Sequence, residues 1–204
     1  MWAYLSSDQR RRVSAGINIF RANDGLGTTF RDLSPDVTWR PASFLSISGG
    51  LSVTNNHDQS QWIEAQDGHY VFGRIDQHTV GLTTRVNYTL TPRLSIQIYA
   101  QPFVSAGDYS DFKELADGRS RSFADRYRPY SYTANPDFNY RSFRTTNVMR
   151  WEYRPGSTLF VVWQQGREAT LDRGTFDFHS DIGGVFDAPA TNVFLVKWAY
   201  WLNF

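Results

Sequence analysis

The chain has 204 residues, 41% of them hydrophobic and 16% aromatic, with a formal net charge of +1 and no cysteine. That length suits one sizeable domain, the near-neutral charge gives nucleic-acid binding little support, and the missing cysteines exclude disulfides and thiolate metal sites. No stretch approaches the roughly 18 uninterrupted apolar residues of a membrane-spanning helix, whereas a polar average rich in aromatics suits strands with one face in lipid and one in water.

The opening segment "MWAYLSSDQRRRVSAG" places its basic residues after its apolar ones and has no apolar core, so it is not a secretory signal peptide. A barrel protein needs one, which implies a removed signal or a longer precursor. From "RVSAGINIF" onward the chain alternates. Val13, Ala15, Ile17 and Ile19 oppose Arg12, Ser14, Gly16 and Asn18. The next segment, "FRDLSPDVTWR", is the weakest strand, because Pro35 would have to sit at a bulge or near a strand end. "FLSISGGLSV", "HTVGLTTRVNYTL" and "RLSIQIYAQ" all fit a period of two and none fits a helical period. "FRTTNVMRWEY" and "STLFVVWQQ" are less clean. The terminal "NVFLVKWAYWLNF" sets Phe194, Val196, Trp198, Tyr200, Leu202 and Phe204 on one face and Lys197 and Asn203 on the other.

The connections sort by parity. "WRPAS", "LTPRL" and "YRPGS" are tight hairpin turns, while the intervening connections, at about 22–27, 55–69, 107–137 and 168–190, are long. Outer-membrane barrels are built this way, with short periplasmic turns and longer external loops. The expected fold is therefore all-β, an antiparallel transmembrane β-barrel of about eight meandering strands in a single domain, residues 1–204. An even strand count places both termini on the periplasmic side of a bacterial outer membrane. Trp39, Tyr88, Trp151, Tyr153, Tyr200 and Trp201 would form the interfacial aromatic girdle.

Three phrases are more specific: "YTLTPRLSIQIYAQPFVSAGDYSDFKEL", "RSFRTTNVMRWEYRPGSTLFVVWQQGRE" and "DAPATNVFLVKWAYWLNF". They resemble the DUF5916 family, in which a C-terminal outer-membrane β-barrel follows a signal peptide and a domain similar to carbohydrate-binding module family 9. The resemblance implies a Gram-negative outer membrane and a saccharide-related uptake or binding role, with no catalytic residue carried over. Resemblance to barrel families also implies that Phe204, Leu202, Tyr200 and Trp198 form the signal read by the barrel-assembly machinery. Against that family this chain is short, and it reads as the C-terminal half of a wider barrel, completed by the rest of a longer chain or by another copy. A complete small barrel remains the alternative.

The inward face favours the wider barrel. Ser14, Gly16, Ser46, Ser48, Gly50, Ser52, Gly81 and Thr83 would fill a narrow interior poorly. Arg85, Arg144, Arg150 and Lys197, with Glu152 as the evident acid, are the candidate lumen-lining charges, and a hydrated pore tolerates them unpaired. Other chemistry is weaker. "GLGTTF" lacks the third glycine and the helix of a phosphate loop. His57, Asp58, Asp67, His69, Asp76 and His78 cluster without a zinc spacing and read as a solvated loop. "GDYSDFKELADG" has the spacing of a short exposed helix, not of a calcium loop. "RSRSFADRYRPYSY" suits equally a stacking surface for sugar or nucleic acid and a loop folded back over a barrel mouth. The expected function is a channel or receptor for small polar solutes, saccharides among them, with lipid as its surroundings and without cofactor, metal or nucleic acid. The alternatives are an outer-membrane hydrolase built around His57 and His69, and a soluble β-sandwich binding module.

Overall fold

A computed structural model describes residues 1–66 and 68–202. Ten strands join one antiparallel sheet: β1 (Trp2–Ser6), β2 (Val13–Asn23), β3 (Thr29–Ala42), β4 (Leu45–Gln66), β5 (His69–Thr91), β6 (Leu94–Leu115), β7 (Tyr127–Pro129), β8 (Phe138–Arg154), β9 (Ser157–Leu171) and β10 (Ala190–Ala199). All but β7 lie side by side in chain order, and β7 pairs with the far end of β6. Among the described residues β1 and β10 do not pair with each other, so the sheet is open, not closed into a barrel.

The eight alternating segments all form strands, and two more appear. "WAYLS", read as part of a leading tail, pairs with β2 from Trp2↔Phe20 to Ser6↔Gly16. This changes the parity of the meander. Nine antiparallel neighbours make β1 and β10 run the same way, so the two ends lie at opposite edges of the sheet's height. Met1, whose amino group donates to the Arg21 carbonyl at 2.8 Å, sits at the end of the long connections, and Ala199, paired with Thr158, sits at the end of the tight turns. The expectation that both termini share one side is corrected accordingly.

The expected long connection at 55–69 is almost entirely strand, and those at 107–137 and 168–190 are strand in part. Residues 55–66 continue β4, residues 107–115 continue β6, and residues 168–171 continue β9. These extensions mix polar and apolar residues without a clean period of two, which hides the alternation while leaving the backbone free to pair. β4, β5 and β6 reach 22, 23 and 22 residues, about twice the ~9–11 that a tilted strand needs to cross a bilayer. The helix expected near Asp108–Asp117 is absent, since that segment is the end of β6. Helix α1 (Phe178–Asp187) lies in the last connection instead, capped by Asp177, which accepts from the Ser180 amide at 3.0 Å.

Pro35 is inside β3, at neither a bulge nor an end. The β3–β4 register passes without shift from Leu33↔Val53 to Asp36↔Gly50, skipping only the two positions where a proline has no N–H to give. Pro102 does the same in β6, between Phe103↔Gly81 and Thr84↔Ala100. Continuing both registers sets Pro35 beside Leu51 and Pro102 beside Leu82. Leu51 and Leu82 are themselves partners, so the two prolines stand on one transverse row and flank the β4–β5 hairpin.

Side chains on the two faces differ. One face carries, around the β5 register, Leu45, Ile47, Leu51 and Val53 of β4, Tyr88, Val86, Leu82 and Val80 of β5, and Ile96, Ile98 and Val104 of β6. Buried apolar side chains gather at the long-connection end: Val104 and Ala106 on this face, Val185 and Ala188 in and just after α1, which packs on β6, β8 and β9, and Ile75 on the opposite face, where its pairing with Asp58 continues the Ser48↔Arg85 register. Elsewhere the apolar face is open: Leu33, Val37, Trp39, Leu82, Ile98, Trp151 and Val196 are all exposed.

Candidate functional site

Residues paired across an antiparallel ladder point to the same face. Following the partners of Arg85 across the sheet gives Ser48, Thr38 and Ser14 in one direction and Tyr99, Thr146, Gln164 and Val193 in the other. This row belongs to the face opposite the apolar band. Arg144 (beside Gln101 and Gly166), Arg150 (beside Ser95 and Phe160) and Lys197 (beside Phe160) lie on the same face, as does Glu152, two residues beyond Arg150. The sheet therefore brings all five candidate lumen-lining residues to one side.

That side is concave. A hollow of about 500 Å³ runs from β2 to β6; besides Pro35 and Leu51, which alternate to the other face, it is lined by Asn18, Ser34, Asp36, Gly50, Ser52, Thr79, Gly81, Thr83, Gln101 and Phe103. These residues share the face of Arg85, and a hollow spanning five strands forms where a sheet curls toward the viewer. Small residues create the space. A Cβ on Gly16 would meet Asp36 Oδ1 at 2.5 Å, so the carboxylate leans over the glycine.

The concave wall is hydrogen-bonded along its rows. Asp32 accepts from Ser34 at 2.8 Å, from Thr54 at 3.1 Å and from Ser52 at 3.3 Å. Ser105 links Thr79 at 2.8 Å and Gln77 at 3.0 Å. Arg85 lies over the Tyr99 ring at 5.2 Å, and Arg150 approaches Glu152 at 3.7 Å. Sequence reading found the bases but took Glu152 as the evident acid. Asp32 and Asp36 belong on this wall as well, and were missed because β3 was read as doubtful around Pro35.

The candidate assembly residues divide. Trp198 is in β10 on the apolar face, while Tyr200 and Leu202 lie beyond the strand and are exposed; Phe204 lies outside the described residues. Tyr200 packs beside Trp198 and under the Arg154 guanidinium, with centroid distances of 6.0 and 5.3 Å. The Trp201 amide donates to Ser157 at 2.9 Å, tying the segment after β10 to the β8–β9 turn.

Half of the histidine cluster stays together: His57, Asp76 and His78 border one hollow of about 280 Å³, while His69 stands apart from it. His57 Nδ1 meets Asp76 Oδ1 at 2.5 Å, and its Nε2 is engaged by the Gln59 amide at 2.8 Å, so both ring nitrogens are occupied. His78 bonds to Asn55, and His69 bonds to Glu114 near the hairpin tip. Asp58 accepts from the Ser60 amide at 2.8 Å, and Asp67 lies outside the described residues. Among the described residues no three His, Cys, Asp or Glu side chains gather to hold a metal ion.

The "RSRSFADRYRPYSY" segment folds back on the sheet. It forms a 3-10 turn (Ala124–Arg126) and then β7, and with β6 it encloses a hollow of about 380 Å³ lined by Phe112, Lys113, Phe123, Tyr127 and Arg128. Lys113 fills part of it, 4.9 Å from the Tyr127 ring and 5.6 Å from Phe123, and burial lowers its pKa. Glu114, nearly buried, accepts from Arg128 at 2.5 Å and from His69, and these two bonds hold its carboxyl below the usual range.

A further polar knot escaped sequence reading. Asp181 of α1 is fully buried. It accepts from Arg141 at 2.5 Å, Arg173 at 2.9 Å, Asn139 at 3.0 Å and the Asp177 amide at 2.8 Å. Phe178, Ile182, Val185 and Phe186 repeat at helical spacing and were the signal available for this helix.

No curated protein and no solved structure matches the chain. Residues 1–204 match the family described as a domain of unknown function, DUF5916. A whole-length match on a ten-stranded antiparallel sheet with one polar concave face makes this chain a member of the DUF5916 family.

Proposed function

We propose that this sheet is part of the wall of an outer-membrane β-barrel, and that its concave face lines an aqueous path for small polar solutes, saccharides among them. The observation that carries the reading is the exposed apolar face opposite a polar concave one. Water does not favour a face on which Leu33, Val37, Trp39, Leu82, Ile98 and Val196 stand open. Lipid does. From Leu90 to Val80 the apolar positions of β5 span ten residues, about 33 Å along the strand at ~3.3 Å each; a ~40° tilt makes this about 25 Å, the height of a barrel's lipid-facing band. Open edges in lipid would leave backbone groups without partners, so in this reading β1 and β10 are completed by further strands that run antiparallel to both. The barrel-assembly machinery is the partner this reading implies.

Reconstitution in a planar bilayer tests it. The completed barrel should conduct, and replacing Arg85, Arg144 and Arg150 by Ser should shift its reversal potential away from anion preference. High solubility of the folded chain without detergent, or unchanged selectivity in the triple variant, would sink the pore reading.

A further inference from the structure

The three consecutive arginines after β1 take no part in the wall described above. Residues 7–12 form the β1–β2 connection and are held in place. The Ser7 amide donates to the Ala15 carbonyl at 2.8 Å, Ser7 Oγ accepts from the Ala15 amide at 2.8 Å, and Asp8 accepts from the Arg10 amide at 3.0 Å. The Arg40 amide donates to the Arg12 carbonyl at 2.6 Å, one step past the Val13↔Trp39 pair, so Arg12 and Arg40 stand directly opposite each other. By alternation they share the concave side with Ser14 and Thr38. Together Arg10, Arg11, Arg12 and Arg40 border a hollow of about 290 Å³, whose lining is completed by Ser43 and Ser46 and by the apolar Pro41, Ala42 and Leu45.

Like charges directly opposite across a ladder destabilise it, and here two further guanidiniums are added. The compensation within the fold is slight: Asp8 lies 3.8 Å from Arg10, both well exposed, and Arg40 donates to the Gln9 carbonyl at 3.3 Å. Yet the chain as a whole carries only +1. A fixed turn that brings four arginines to the border of one hollow favours an external anion. Planar guanidinium forks match the oxygens of a phosphate group, and several can share one. The hollow is small for an organic ligand, and it opens at the tight-turn end of the polar face, away from the apolar band. We propose that it is a binding site for the phosphate group of a small soluble solute. The site stands on the turn geometry alone and does not require the sheet to conduct.

Isothermal titration of the 204-residue chain in neutral detergent, at fixed ionic strength, with inorganic phosphate as the probe, tests this. Saturable phosphate binding that chloride does not reproduce is expected. Arg12→Ser with Arg40→Ser should weaken it by about tenfold or more, the loss of at least one charge-assisted hydrogen bond. Arg12→Lys with Arg40→Lys preserves the charge and should still weaken it, which separates recognition by the fork from bulk attraction. Arg119→Ser with Arg121→Ser, in the connection at the other end of the sheet, should leave it intact. Absence of saturable binding, or equal loss in the two Ser double variants, overturns the proposal. Phosphatidylglycerol added to the micelles provides a second arm: binding there without binding of free phosphate would make the site a lipid headgroup site and overturn the soluble solute.

Discussion

Arg141 and Asp181 form an ion pair at 2.5 Å with almost no exposure on either side, and it joins β8 to α1. Replacing Asp181 by Ala strands the Arg141 guanidinium in a site closed to water. Removing one partner of a buried pair costs about 3–5 kcal/mol, and here the loss falls on the contact of the ten-residue α1 with β8. Amide exchange should show α1 losing protection while the turn end of the sheet keeps it.

Glu114 gives the hairpin tip an acid dependence. Its folded pKa is depressed, first by Arg128 and then by His69, so the stabilisation is fully present above the unfolded carboxylate pKa and is lost as pH falls through the folded value. Acidification below the usual carboxylate range should release β7 from β6, seen as faster exchange at Leu115 and Tyr127. Glu114→Gln should remove that acid step, leaving the contact weak at every pH.

The two faces of β5 should respond oppositely to charge. Leu82→Lys puts an ammonium in the middle of the apolar band, at an expected cost of about 2–4 kcal/mol in lipid. Thr83→Lys, one residue along and on the concave face, should cost far less. Urea unfolding from lipid vesicles compares the two, and equal costs would contradict a lipid-facing band.

Gly156 closes the β8–β9 turn at φ +77, and a Cβ there would also press on Trp201 at 3.1 Å. Gly156→Ala should destabilise by about 1–2 kcal/mol, the strain of a left-handed residue with a side chain. Thermal unfolding in detergent reads it directly.

The sequence was legible where one face was apolar and the other polar. That condition holds along 45–53, 80–90 and 94–100, and strands lie there. It fails along 55–66, where Asn55, Asn56, His57, Asp58 and Gln59 give no contrast between faces, and β4 nonetheless continues because β5 supplies ladder partners. Pairing of this kind is non-local and leaves no period to find. The five lumen candidates fell on one face because alternation alone determines that. Asp32 and Asp36 were hidden by a proline whose missing N–H costs the strand one bond but not its register. The Arg141–Asp181 knot joins residues 40 apart, and only the folded chain brings them together.

The direction of the two edges has a consequence for assembly. Since β1 and β10 point the same way, two copies set edge to edge in one membrane, both upright, would meet through parallel seams. Antiparallel neighbours all round demand an odd complement of additional strands. An upright second copy would also bring an odd number, nine laterally paired strands, but with both edges pointing the wrong way, so direction as well as number decides what could close the proposed barrel.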